Sequence, residues 1–390
     1  MFTKNQLIKK QYFMKKLPLI LAAACLLIGC SNEKTFKISG TLTDYGNPDD
    51  PTMLYLKTRD ANEQLINIDS TYLTKNESFI LKGKSSETDL YFLTDKDNVF
   101  FMRIFIDPGN KIKVTGSAVN IPEIKIEGSE TQEFYEEYQK SLDPMFDEQE
   151  NIRQTYSLYV GYLENNSISE EEFQQIEDDL IISFNQLEEA VNNVTLEFIT
   201  SHSNHLVAAY LVYRNTQSLN NSTEIEEQLQ LLDTEMKNKY VTHIKNLIER
   251  IKQTEHGAVL PNIELPDANG NLISLESLRG KYVLVDFWAT WCMPCVREIP
   301  NLKKAYEKYH NKGFEIYSIS LDIDKEAWLN GLIKYELNWI NVCDLESSPT
   351  ARQMAIKYIP HTFLLDKSGV IIAVNLREEA LESKLAELMP

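Results

Sequence analysis

The sequence is short of thiols, of positive charge and of long apolar runs. Its 390 residues hold five cysteines, Cys25, Cys30, Cys292, Cys295 and Cys343. A structural disulfide framework would need more of them, more evenly spread. A zinc site would need a second pair or two histidines at ligand spacing, and His256, His310 and His361 stand apart, so no metal is expected. Lys and Arg number 39 against 58 Asp and Glu, a formal net charge of −19, which argues against nucleic acid as a partner. The most apolar run, Leu17 to Ile28 behind Lys15 and Lys16, is too short for a stable span and reads as the core of a secretory signal. What is present is ordinary for globular protein: 43% hydrophobic residues, and length for two or three domains.

Past the signal (1–29) and a polar tether (30–35), residues 36–127 alternate apolar and polar positions. Phe36-Lys37-Ile38, Ser78-Phe79-Ile80-Leu81 and Lys111-Ile112-Lys113-Val114 are examples, and Gly46-Asn47-Pro48 and Asp107-Pro108-Gly109-Asn110 are turn signals. This predicts an antiparallel β-sandwich-like domain. Residues 128–256 read as helical, with capping-box candidates at Ser169/Glu172 and Thr223/Glu226 and an apolar helix over 204–214. The stretch from Ser129 to His256 holds 8 basic and 25 acidic residues, so −17 of the net charge sits there. The excess reads as a solvated acidic face, with steering of a basic partner as the sharper alternative. Its aromatic and Leu positions read as core, and no cofactor is expected. Residues 257–390 alternate strands and helices, which predicts an α/β layer fold. The expected strands include Tyr282–Phe287, Phe314–Leu321 and a hairpin around Lys367-Ser368-Gly369; Pro349–Tyr358 is an expected helix.

The chemistry gathers at Asp286-Phe287-Trp288-Ala289-Thr290-Trp291-Cys292-Met293-Pro294-Cys295. An apolar strand leads into two cysteines three positions apart, and a helical pattern of Val296, Ile299, Leu302 and Tyr306 follows. A three-residue offset on a helix puts both sulfurs on one face. A helix N-terminus stabilises a thiolate, so Cys292 is expected to be the more acidic and the more exposed sulfur. Asp286 falls inside the strand, where burial should raise its pKa. Cys343 reads as a buried small hydrophobe.

These residues carry a resemblance. Trp288-Ala289-Thr290-Trp291-Cys292-Met293-Pro294-Cys295 is similar to the active site of the thioredoxin superfamily. The segment from Gly257 onward resembles the TlpA/ResA branch of membrane-anchored thiol–disulfide oxidoreductases, within the AhpC/TSA-like redoxins. Leu27-Ile28-Gly29-Cys30 resembles the bacterial lipoprotein cleavage box, which implies a lipidated Cys30 at the mature N-terminus. It further implies a place in the bacterial cell envelope, lipid-anchored on the membrane facing the periplasm. The first domain, with Asp69-Ser70 and Gly83 as landmarks, resembles a small β-domain of unknown function found ahead of such modules. The resemblance implies a thioredoxin-like fold for 257–390 and a dithiol cycle. In it Cys292 attacks a protein disulfide, Cys295 resolves the mixed disulfide, and Asp286 moves a proton for the buried thiol. It also places Glu298 near the thiols, Trp291 over the site, and a cis Pro360 that offers the backbone of Ile359 to substrate. Implied partners are a disulfide-containing protein substrate and a membrane thiol donor, with protein disulfide reduction, as in cytochrome c maturation, the implied direction. Two alternatives stay open. One is a binding or adaptor lipoprotein with an incidental thiol pair. The other is a peroxiredoxin-like peroxidase, which wants Thr three residues before its cysteine, whereas Thr290 is two before Cys292.

Overall fold

In a computed structural model of the chain, residues 33–45, 52–60, 63–73, 77–345 and 348–390 are described. The signal segment, Cys25, Cys30 and the turn Gly46-Asn47-Pro48 lie outside the described residues. The chain divides into two compact units, Met1–Glu137 and Tyr138–Pro390.

The first unit carries β1 (Lys34–Thr43), β2 (Met53–Arg59), β3 (Leu65–Tyr72), β4 (Ser78–Ser85), β5 (Asp89–Thr94), β6 (Phe101–Ile106), β7 (Lys111–Ser117) and β8 (Lys125–Glu127). β1 begins at Lys34, within the stretch expected as tether. The strands form two four-stranded sheets, ordered β4-β1-β7-β8 and β3-β2-β5-β6. Alternate positions face one shared core, among them Phe36 and Ile38 of β1, Leu54 and Leu56 of β2, and Phe79 and Leu81 of β4. The expected all-antiparallel pairing fails in one place, because β1 and β7 pair in parallel. Alternation reports which face is buried and says nothing about strand direction. At Gly83 a Cβ would stand 2.3 Å from the Phe36 ring, so this landmark glycine makes room for a core side chain on the neighbouring strand.

Helix α1 (Glu130–Ser141) runs across the division. The second unit continues with α2 (Asp143–Glu164), α3 (Glu170–Ser201), α4 (Leu206–Thr216), α5 (Ser222–Leu229) and α6 (Lys239–Lys252). The capping box at Ser169 and Glu172 forms. The one expected at Thr223 and Glu226 does not. α5 starts earlier, and Asn221 caps it by accepting from the Glu224 N–H at 3.1 Å. Four successive residues, Asn220 to Thr223, could cap here, and Asn is a better cap than Thr. α4 starts at Leu206 with His205 as its cap, two residues after the expected start.

Then come β9 (Glu264–Pro266), β10 (Leu272–Ser274), β11 (Tyr282–Trp288), α7 (Met293–Tyr309), β12 (Phe314–Ser320), α8 (Lys325–Tyr335), β13 (Ile340–Cys343), α9 (Pro349–Gln353), β14 (His361–Leu365), β15 (Ile371–Val374) and α10 (Glu378–Leu388). α9 ends five residues before the expected Tyr358, where Ala355 takes a left-handed φ of 54°. The main sheet has the order β13-β12-β11-β14-β15. β11 pairs in parallel with β12 and antiparallel with β14. The sheet separates two cores. Val283, Val285 and Phe287 join Leu260, Leu275 and Met354 on one face. Leu284 and Trp288 join Ile299 and Leu302 of α7 and Leu381 of α10 on the other. The strand period of two therefore puts Asp286 on the α7 face, between Leu284 and Trp288.

Candidate active site

β11 ends at Trp288, and three residues later Cys292 is the N-cap of α7. Pro294 sits in the first turn, where the missing N–H costs nothing. Cys292 and Cys295 form a disulfide with Cα atoms 5.3 Å apart, and the Cys292 sulfur accepts from the Cys295 N–H at 3.2 Å. The expected contrast in exposure is absent. Cys292 is 5% exposed and Cys295 3%, so both sulfur-bearing residues are buried. The exposed surface here belongs to Trp291 and Met293, at 66% and 61%. Trp291 thus stands at the rim and leaves much of its ring to solvent.

The turn carrying the cysteines is tied down from β12. Leu321 N–H donates to the Trp288 carbonyl at 2.9 Å. The buried Asp322 carboxylate accepts from the Thr290 N–H at 3.0 Å and the Thr290 hydroxyl at 2.7 Å, and from Ser320 Oγ at 2.7 Å. Gly331 of α8 closes over this turn: a Cβ there would stand 2.5 Å from Thr290 Cγ2. Asp322 escaped the sequence reading. Its only signal is a Ser-x-Asp pattern at the end of a strand, which is common in turns.

Asp286 is buried, and its Oδ2 accepts from the Ser318 hydroxyl at 3.1 Å. Burial pushes its pKa up to about 7; Ser318 opposes that, the Glu298 charge adds to it and the Arg377 charge opposes it. The expected upward shift is therefore present. Glu298 is also buried, one helical turn past Cys295. Its Oε1 accepts from the Glu378 N–H at the start of α10 at 2.8 Å, and its Oε2 from Asn301 Nδ2 at 3.3 Å. Glu298 thus caps a neighbouring helix as well as facing Asp286.

The Ile359–Pro360 peptide is cis. Ile359 packs against both cores, and the Pro360 carbonyl accepts from the Arg377 guanidinium. His361 is half-buried beside Phe363, and burial together with Arg377 holds its pKa down to about 4, so it stands neutral. Arg377 is the second residue the sequence reading missed. Cys343 is buried, its thiol pushed up to about 11 by burial. Among the described residues no three His, Cys, Asp or Glu side chains gather as a metal site would require.

The AhpC/TSA family model matches residues 256–374, and the model of a domain of unknown function (DUF4369) matches residues 36–135. Thiol-disulfide oxidoreductase ResA of Bacillus cereus is 33% identical over 137 residues, spanning 34% of this chain and 79% of that protein. ResA of Bacillus subtilis is 35% identical over 122 residues, 30% of this chain and 65% of its own. A solved thiol-disulfide oxidoreductase from Bacteroides fragilis is 42% identical, covering 33% of this chain and 97% of its own at a TM-score of 0.31. With the family's dithiol at the head of a helix in a thioredoxin-like α/β domain, this chain belongs to the ResA family of thiol-disulfide oxidoreductases.

Proposed function

We propose that this oxidoreductase is a lipid-anchored protein of the bacterial cell envelope that reduces protein disulfides on the periplasmic face of a membrane. The observation that carries the site assignment is the Cys292–Cys295 pair at the N-terminus of α7, with Asp286 on the sheet face below it. In the reduced enzyme Cys292 thiolate attacks a substrate disulfide, forming a mixed disulfide and releasing one substrate thiolate. Asp286 carboxylate then takes the proton of Cys295. The Cys295 thiolate attacks Cys292 sulfur, the second substrate thiolate leaves, and the enzyme disulfide closes. Glu298 biases Asp286 by its charge. Trp291, Ile359 and Pro360 form the rim against which substrate lies, with the Ile359 backbone free to pair with an extended segment. Regeneration needs two electrons from a membrane thiol donor, since an exported pair otherwise stays oxidised. Lipid on Cys30 supplies the anchor. Reduction of haem-attachment thiols in cytochrome c maturation is the specific use proposed.

Insulin reduction tests the chemistry. Cys292→Ser should abolish it, and Cys295→Ser should accumulate a substrate mixed disulfide. A wild-type enzyme that reduces no disulfide overturns the reading. The reduction potential sets the direction: near the thioredoxin value of about −270 mV supports a reductase, near about −120 mV an oxidant. Cys30→Ser should move the protein from the membrane to the soluble fraction, and its staying membrane-bound would refute the anchor.

A further inference from the structure

Asp286 does not meet Ser318 alone. Ser318 lies directly opposite it in the β11–β12 register, on the same face of the sheet. The Ser318 hydroxyl is in turn approached by the Trp339 indole Nε1–H at 2.8 Å. All three side chains are buried, Ser318 at 1% exposure. An indole nitrogen can only donate, and a hydroxyl has a single proton to give. With Trp339 occupying an acceptor position of Ser318, the Ser318 proton points at Asp286 Oδ2, 3.1 Å away. The chain of donors runs one way, from Trp339 through Ser318 to Asp286.

We infer that Ser318 and Trp339 are positioning residues that hold a fixed donor on Asp286 and so keep its carboxylate available to take the Cys295 proton. The inference rests on the role proposed above for Asp286. A hydrogen bond to the ionised form favours that form, while burial favours the acid. The other groups acting on Asp286 are few. Glu298 comes from α7 and disfavours the carboxylate, and Arg377, just before α10, favours it. Thr362 of β14 is neutral, its hydroxyl donating to the Leu376 carbonyl. Asn341 of β13, opposite Ser318 in the ladder, is neutral, its Nδ2 donating to the Leu337 and Trp339 carbonyls. Arg377 is shared with the Pro360 carbonyl, which leaves Ser318 as the donor given to Asp286 itself. Trp339 makes that donor permanent by denying the hydroxyl another orientation.

The test is the pH profile of a single turnover, the release of substrate thiol from the Cys292 mixed disulfide. Release should rise as Asp286 ionises. Ser318→Ala removes the donor, so the midpoint should move up from about 7 by about one pH unit, and release at pH 7 should slow by roughly fivefold. The rate should recover at high pH, which general damage to the site would not allow. Trp339→Phe keeps a ring against Tyr306, 5.7 Å away in the wild type. It should shift the midpoint the same way by less. The double variant should match Ser318→Ala alone, because Trp339 acts through Ser318. An unmoved midpoint in Ser318→Ala, or two shifts that add in full, overturns the inference. Asp286→Asn separates the two levels. If it flattens the profile while Ser318→Ala leaves it unchanged, only the relay is wrong. If Asp286→Asn itself keeps the wild-type profile, the role of Asp286 is wrong.

Discussion

The acidic helices and the thioredoxin-like segment use carboxylates in opposite ways. From 143 to 197 the chain holds 14 acidic residues against one basic one, Arg153. α2 buries no residue, and α3 buries only Thr195, Phe198 and Ile199, close to its end. Residues 257–390 hold 18 acidic and 14 basic residues, a nearly even balance. Yet among the described residues there, five acids are buried, Asp286, Glu298, Glu315, Asp322 and Asp344. Each has a partner. Lys281 reaches Glu315 at 3.0 Å, the Thr350 N–H reaches Asp344 at 2.7 Å, and the others are held as described above. Net charge therefore points to the wrong part of this molecule. An exposed carboxylate is solvated and replaceable, whereas a buried one has to be held and so carries geometry.

The comparison breaks if the two kinds of acid respond alike to removal. Asp322→Ala should show the largest difference. It strands the Thr290 N–H and two hydroxyls in the turn that carries Cys292, at about 2–4 kcal/mol by denaturant unfolding. Disulfide reduction should fall with it, because the turn is no longer fixed. Glu148→Gln on α2 should stay within about 0.5 kcal/mol and leave the rate alone. Equal losses from the two substitutions would refute the contrast.

An effect of opposite sign is expected from Asp286→Asn in the oxidised protein. The wild-type carboxyl titrates near 3.8 when unfolded and near about 7 when folded. Between those values the unfolded state holds fewer protons, so wild-type stability falls as pH rises. This contribution is full below about pH 4, is lost progressively up to about pH 7, and changes no further. Asn cannot ionise. The variant should therefore gain on the wild type across that window, by up to about 4 kcal/mol between pH 4 and pH 8, while its turnover drops. Urea midpoints at pH 4, 5.5, 7 and 8 measure it, and parallel curves would show that Asp286 is not held as an acid. Stability and activity moving in opposite directions would mark the residue as functional.

How far the sequence could be read follows from the range of each interaction. The thiol pair, its helix and its strand were legible because their signals lie within a few residues: an apolar run, a first-turn Pro294, then Ile299 and Leu302 at helical spacing. The burial of Asp286 followed from alternation along β11. Its partner Ser318 is 32 residues away and meets it only through the register of a parallel ladder. Thr290 and Asp322 are also 32 residues apart, and the N–H that Glu298 caps is 80 residues on. No local pattern encodes such pairings. The parallel β1–β7 ladder was hidden for the same reason, since alternation is blind to direction. Thr223 misled for a different reason, because several cap-forming residues compete within one short segment.

The smallest expected effect sharpens the contrast from the exposed side. Ser169 caps α3 by accepting from the Glu172 N–H at 3.2 Å, and Glu172 returns the bond to the Ser169 N–H at 2.8 Å. Both residues are exposed, and the first turn of α3 buries nothing. Ser169→Ala should cost about 1 kcal/mol of local helix stability, read as faster amide exchange over Glu170–Phe173. Global unfolding should move less than that, since an exposed helix end can fray without disturbing the core. Insulin reduction should not change. If the rate fell, the acidic helices would be coupled to the dithiol, and the division between solvated and structural carboxylates would fail at its weakest point.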